Sequence, residues 1–209
     1  VNGCVADTSI TIEINSNKNK DLIKAAEEAL EEALKYAKEG MEINKIGKAI
    51  HDTITRYGFS PVKNLSGHSL DEYNVHAGWT IPNYDNNDKR KLEKGMRIAI
   101  EPFATTGIGL VQESKSSNVY KLMNAKPDRD RNARLILSFI EKEYLTLPFS
   151  KFWLIKKFGT IANYALTVLE KENVIYSYPQ LIEKSKGLVS QFEHTVYIGD
   201  KIIVTTKSD

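Results

Sequence analysis

Hydrophobic and polar positions first repeat with a period of two, then with a period near four. From Thr8 to Ile14, the isoleucines at 10, 12 and 14 share one face and Thr11 and Glu13 share the other, which predicts a strand. The run before it, Val1 to Asp7, reads as strand too, with Cys4 as a buried small hydrophobe. A polar turn at Asn15 to Asn19 precedes a helix over Lys20 to Glu39. Its apolar stripe is Leu22, Ala26, Ala29/Leu30, Ala33/Leu34 and Ala37, and Gly40 stops it. A second helix is expected over Asn44 to Tyr57, with Asn44 as its cap and Gly58 as its end. Ile46, Ile50, Thr53 and Ile54 line one side of it. Residues 59 to 113 read as strands and loops, including Met96 to Ile100 after a Lys94-Gly95 turn, and Leu110 to Glu113. From about 121 to 187 the pattern is helical: Arg131 to Tyr144, Phe149 to Phe158 and Ile161 to Glu172, separated by Pro148 and Gly159. Strands return at Gly187 to Ile198 and Lys201 to Thr206, around a Gly199-Asp200 turn.

Composition changes this picture little. With 209 residues, 41% hydrophobic and 27% charged, the chain can bury one substantial core. A net charge of +2 does not demand a nucleic-acid or membrane partner. One cysteine excludes a disulfide framework and favours a reducing compartment. No apolar run approaches the ~18 residues of a membrane span, and no charged-then-apolar leader is present. The cytoplasm is therefore the expected location. Charge is uneven, however. Residues 121 to 187 hold twelve Lys/Arg and seven Asp/Glu, a net of +5, which leaves −3 for the remainder. A solvated helical surface explains this, and a basic face docking near ribosomal RNA is the sharper alternative.

Four phrases hold the candidate chemistry: Ala6-Asp7-Thr8, Gly67-His68 followed by His76-Ala77-Gly78, Ala99-Ile100-Glu101-Pro102-Phe103, and Gln191-Phe192-Glu193-His194-Thr195. Singly, Asp7 reads as a turn or cap residue and His68 as an ordinary histidine. Glu101 is stronger, because an apolar strand running into Glu-Pro places a carboxylate where only a cation or a partner offsets its burial. Glu193 repeats that pattern and shares a strand face with Val189, Gln191 and Thr195, while the adjacent His194 points the other way and reads as structural. Together, two carboxylates able to bridge and an imidazole suit a pair of divalent ions better than a lone structural zinc.

In this order the phrases resemble methionine aminopeptidase of type 2, in its archaeal form, over the whole chain. Glu101 and Glu193 stand 92 residues apart, room for the helical insertion that marks type 2. The resemblance implies an α+β pita-bread (creatinase/aminopeptidase) fold: a curved antiparallel sheet covered by helices, with metals at its centre. Residues 1–120 and 188–209 would form the catalytic domain and 121–187 the helical insertion. By resemblance, Asp7 and Glu193 bridge two metal ions (cobalt, manganese, iron or zinc), and His68 and Glu101 complete the shell of one. A further aspartate would chelate the other ion. Its position falls before Val1, and a chain that opens in mid-strand likewise predicts a missing N-terminal portion. The implied reaction is hydrolytic removal of the initiator methionine from nascent proteins with a small second residue, by a water activated between the ions. Glu101 would shuttle the proton. His76 would bind the substrate peptide or the developing oxyanion, and Val75 and Tyr178 would line the methionine pocket. Where eukaryotic members carry another histidine, eighteen residues beyond Glu101, this chain has Val119.

The expected partner is a peptide or nascent chain beginning with Met, with the ribosome as a further candidate. Neither membrane nor DNA is implied, and a monomer is expected. Two rivals share the fold: a non-catalytic protein binding RNA or ribosomes, and an Xaa-Pro aminopeptidase. Retention of Asp7, His68, Glu101 and Glu193 argues against the first. The Glu spacing and the Gln-Phe-Glu-His-Thr phrase argue against the second.

Overall fold

Alanine sets the geometry of the first helix pair. In the computed structural model, which describes residues 2–125 and 130–207, α1 (Lys20–Leu34) buries Leu22, Ala25, Ala26, Ala29, Leu30 and Ala33. This row recurs every three to four residues, so it forms one stripe. Small side chains let it lie close against α2 (Ile43–Arg56), whose Ile43, Ile46, Ile50 and Ile54 are fully buried. Each such isoleucine contributes roughly 1.5–3 kcal/mol through burial. The α1 helix ends at Leu34 rather than Glu39. Bonds from Tyr36 N–H to Ala33 O and from Ala37 N–H to Leu34 O tighten the last turn, and Ala37 is buried all the same. Nor does Asn44 cap α2, which starts one residue earlier. Its amide donates to Asp85 Oδ1 (3.1 Å) and its N–H to Asp88 O (3.0 Å), tying the helix start to the 85–88 loop.

The chain forms two compact units: Val1–Gln112 with Ile182–Asp209, and Glu113–Leu181. In the first unit, the strands β2 (Ser66–Leu70), β3 (Thr80–Pro82), β4 (Arg97–Ile100), β10 (His194–Ile198) and β11 (Ile202–Val204) form an antiparallel sheet ordered β11-β10-β4-β2-β3. Its Ile98, Ile100, Val196 and Ile198 belong to the same core as α1 and α2. A second sheet, β1-β5-β9, joins β1 (Ser60–Pro61), β5 (Phe103–Thr105) and β9 (Val189–Gln191).

The expected strand over Gly187 to Ile198 is thus two strands in two sheets. β4 pairs with β10 up to Ile100↔His194, and β5 pairs with β9 from Phe103↔Gln191. Between them Glu101-Pro102 stands opposite Phe192-Glu193. Pro102 has no N–H to continue the ladder, so the two-stranded ribbon bends there and changes sheet.

Glu183 fastens the neighbouring loops. One carboxylate oxygen accepts the N–H of Ile108 (2.8 Å). The other accepts the N–H groups of Ser185 (2.6 Å) and Gly187 (3.0 Å) and the Ser185 hydroxyl (2.7 Å). A Cβ on Gly107 would lie 2.2 Å from that carboxyl carbon, which only glycine avoids.

In the second unit α3 (Arg131–Glu143), α4 (Lys151–Phe158) and α5 (Ile161–Lys171) bury Ile136, Ile140, Leu154, Leu166 and Leu169. Asp130 caps α3 at the N–H groups of Asn132 and Ala133, and the Ser150 hydroxyl caps α4, which starts two residues later than expected. The short strand expected at Leu110 to Glu113 extends on to Leu122 as β6 (Val111–Leu122), and β8 (Ile175–Glu183) lies where the sequence pattern is blank, with β7 (Phe149–Ser150) on the other side of β6. Residues 112–116 of β6 are exposed on both faces, so no alternation announces the strand.

The beginning of the chain differs most from expectation. Val1 lies outside the described residues. Asn2 and Gly3 form a turn with positive φ (51° and 83°), and Cys4 is exposed. Residues 8–14 form no regular strand, only an isolated bridge between Ser9 and Glu193. Ile10, Ile12 and Ile14 share a face, as their alternation says, but that face is outward (68%, 72% and 75% exposed). Threonine hydroxyls replace the backbone ladder: Thr8 Oγ1 donates to Glu193 O (2.9 Å) and Thr11 Oγ1 to Gln191 O (2.8 Å).

Candidate metal centre

The period of a strand decides which side chains meet. His68 on β2 and Thr195 on β10 both pair with Ala99 on β4, so the three share one face. Glu101 lies two residues beyond Ala99, and Glu193 two before Thr195. Both therefore start on that face, opposite Ile98, Ile100 and Val196 on the core side. Ala99 is small enough to leave room above it. Gly67 permits the close approach of β2, since a Cβ there would lie 2.2 Å from Ala99 O. Asp7 is brought in through its backbone. Its N–H donates to Thr195 Oγ1 (2.7 Å), and that hydroxyl donates back to Asp7 O (2.8 Å).

The resulting group is tight. Ligand atoms of Asp7, His68 and Glu193 all lie within 4.8 Å of one another. His68 Nε2 stands 3.9 Å from Asp7 Oδ2 and 3.7 Å from Glu101 Oε1. His68 and Glu193 are buried, Asp7 and Glu101 half-buried. Burial, then the charges of Glu193 and Asp7, push the Glu101 carboxyl up to about 9, against the pull of a hydrogen bond from Gln191. Burial and the Asp7 charge push Glu193 up to about 8. Burial lowers His68, although Asp7 pulls it back. Glu193 Oε1 is buried with no hydrogen-bond partner. Carboxyl groups whose ionisation is opposed by burial and by one another, an imidazole that burial disfavours as a cation, and a carboxyl oxygen with no hydrogen bond are a donor set short of positive charge. A divalent cation fits that set.

The other candidates stand as follows. The His76 ring lies 4.3 Å from the His68 ring, on an exposed loop, and its N–H donates to Asn74 Oδ1 (3.2 Å). Val75 beside it is half-buried. A cleft of about 290 Å³ is lined by Asn64, Leu65, His68, His76, Trp79 and Thr80 among others. Tyr178 belongs to the second unit, on β8, edge-on to Tyr176 (5.2 Å) and under the Lys121 ammonium (5.7 Å). His194 pairs its Nδ1 with Thr206 Oγ1 (2.9 Å). One contact at the centre has no counterpart in the sequence reading. The Gln191 amide reaches both Glu101 Oε2 (3.2 Å) and Glu193 Oε2 (3.4 Å). Its only sequence signal is that it sits two residues from Glu193 on one strand face.

The profile of metallopeptidase family M24 matches residues 1–135, well over half of the chain. The chain belongs to that family. Its M24 relatives include the methionine aminopeptidases of Archaeoglobus fulgidus and Pyrococcus abyssi. The first is 45% identical over 99% of this chain and 69% of the relative, the second 44% identical over 99% and 71%. Among solved structures, a thermophilic Arx1 superposes with a TM-score of 0.80 at 17% identity, over 100% of this chain and 65% of its own. The methionine aminopeptidase of Thermotoga maritima superposes with a TM-score of 0.62 at 20% identity, over 99% and 59%. These likenesses give the fold: the α+β pita-bread architecture of M24 proteins, with antiparallel sheets backed by helices. Membership of a metallopeptidase family also accounts for the cation that the acidic group calls for. No helix among the described residues is long and apolar enough to cross a membrane.

Proposed function

We propose that this M24 chain is a methionine aminopeptidase of type 2, which removes the initiator methionine from polypeptides with a small second residue. The observation that carries this reading is the convergence of Asp7, His68, Glu101 and Glu193 around a buried oxygen with no partner. The 92-residue spacing of Glu101 and Glu193, within which the 113–181 unit lies, supports type 2. Asp7, His68, Glu101 and Glu193 are the residues of this chain that would hold divalent cations (cobalt, manganese, iron or zinc), with a further aspartate needed for a second ion. When bound, such ions supply an activated water and polarise the scissile carbonyl.

The chain's own residues supply the rest. Glu101 is protonated at neutral pH before any cation arrives, and a cation beside it draws that value down into the working range. A carboxyl poised in this way takes a proton from the attacking water and gives it to the departing amine. His76, at the rim of the cleft, is placed to donate to the substrate carbonyl or its oxyanion. Val75 is assigned to the methionine pocket.

The deciding experiment is competition between Met-Ala-Ser and Xaa-Pro peptides with manganese-loaded protein. Release of methionine alone supports the reading, while cleavage of the Xaa-Pro peptide would replace it. A contact with the ribosome is a second reading for the other unit. It is favoured by α4, which exposes Phe152 and Trp153 among Lys151, Lys156 and Lys157. Co-sedimentation with ribosomes, lost in a Trp153→Glu variant, tests it.

A further inference from the structure

We propose that Gln191 is a positioning residue for the metal: its side-chain amide anchors one oxygen of Glu101 and one of Glu193, leaving the other two for the ion. This rests on the metal reading above. A single nitrogen, Nε2, lies 3.2 Å from Glu101 Oε2 and 3.4 Å from Glu193 Oε2. A primary amide has two N–H groups, so both carboxylates are served without competition. The remaining oxygens are not engaged by Gln191. Glu101 Oε1 is 3.7 Å from His68 Nε2, and Glu193 Oε1 is buried and unpartnered. Each carboxylate is thus divided between a fixed anchor and a free donor.

The backbone of Gln191 is itself held from two sides. Gln191 pairs with Phe103 across β5 and β9. Its N–H donates to Thr11 Oγ1 (2.9 Å), and the same hydroxyl donates to its carbonyl (2.8 Å). The residue type matters as much as the place. A lysine or arginine there would neutralise the carboxylates and compete with the cation. A glutamate would add a further negative charge and could donate only when protonated. An amide orients both carboxylates and leaves their charge for the ion. Groups that orient ligands from behind in this manner are commonly worth about 10- to 100-fold in metal affinity.

The test is calorimetric titration of the metal-free full chain with manganese chloride, wild type against Gln191→Met, which keeps the length and removes the donors. The proposal expects a manganese affinity lower by roughly 10- to 100-fold in the variant. It also expects the metal-free variant to keep a cooperative melting transition, lowered by no more than the loss of two hydrogen bonds explains. Equal manganese affinity in the two proteins would overturn it. So would loss of the cooperative metal-free transition together with affinity, since Gln191 would then be holding the fold and not the ligands. If the wild type itself takes up no manganese, the metal reading fails, and this proposal fails with it.

Discussion

Glu183 and Glu193 lie ten residues apart in one unit, and both are 4% exposed, yet their carboxylates are treated in opposite ways. Around Glu183 the fold supplies three backbone N–H groups and a hydroxyl. Burial pushes that carboxyl up, but these hydrogen bonds outweigh it and hold it at about 2. Around Glu193 the fold supplies a carboxylate neighbour and one long amide contact, and leaves Oε1 with nothing. Burial by itself therefore says little about function. A buried acid whose lone pairs are all met is a fastening, and one whose lone pairs are left open is a request to something outside the chain.

The contrast can be broken most sharply at Glu101, which shares the fate of Glu193. Glu101→Gln mimics the protonated acid that the metal-free site already holds. We expect kcat for methionine release to fall by about 10²- to 10⁴-fold, with a metal-free melting temperature equal to that of the wild type or higher. A variant with full activity would show that the raised carboxyl has no part in proton transfer. Glu183→Gln should do the reverse: it should lower the melting temperature and leave manganese affinity intact.

The pH dependence sharpens the comparison. Glu101 and Glu193 bind protons more tightly in the folded chain than in the unfolded one, where carboxyls titrate near 4.5. Their contribution to metal-free stability is therefore full below about pH 4.5 and is lost as pH rises through about 8 and 9. His68, lowered by burial, acts oppositely as pH falls below 6.5, so the decline is cleanest above neutrality. Melting curves of metal-free protein should move down between pH 7 and 9, and added manganese should raise them most at the alkaline end. A flat profile would mean that the acids are not mutually strained. The smallest effect is expected at Thr11→Val, which removes the hydroxyl bridging to Gln191: a loss of about 1 kcal/mol by denaturant unfolding.

The helices were legible because their stripes recur every three to four residues, and the endpoints that moved did so for local reasons. Asn44 has the chemistry of a cap, but the helix starts one residue before it and its side-chain N–H donates to Asp85 Oδ1. Asp7, His68, Glu101 and Glu193, singled out from their flanking residues, stand together around one centre in the structure. Two other things escaped. Most of β6 beyond Glu113, and β8, are exposed or polar on both faces, so their hydrogen bonds leave no trace in hydropathy. The anchoring role of Gln191 depends on the bend between β9 and β10, which period-two reasoning treats as straight.

That bend has a mechanical consequence. Glu101 and Glu193 are rooted at the crease where one ribbon passes from the five-stranded sheet to the three-stranded one. The separation of their oxygens is therefore a function of the angle between two sheets, each stiffened by its own ladder. We expect substitutions at Ile98, Ile100 or Val196, in the core beneath that crease, to alter manganese affinity without touching a ligand.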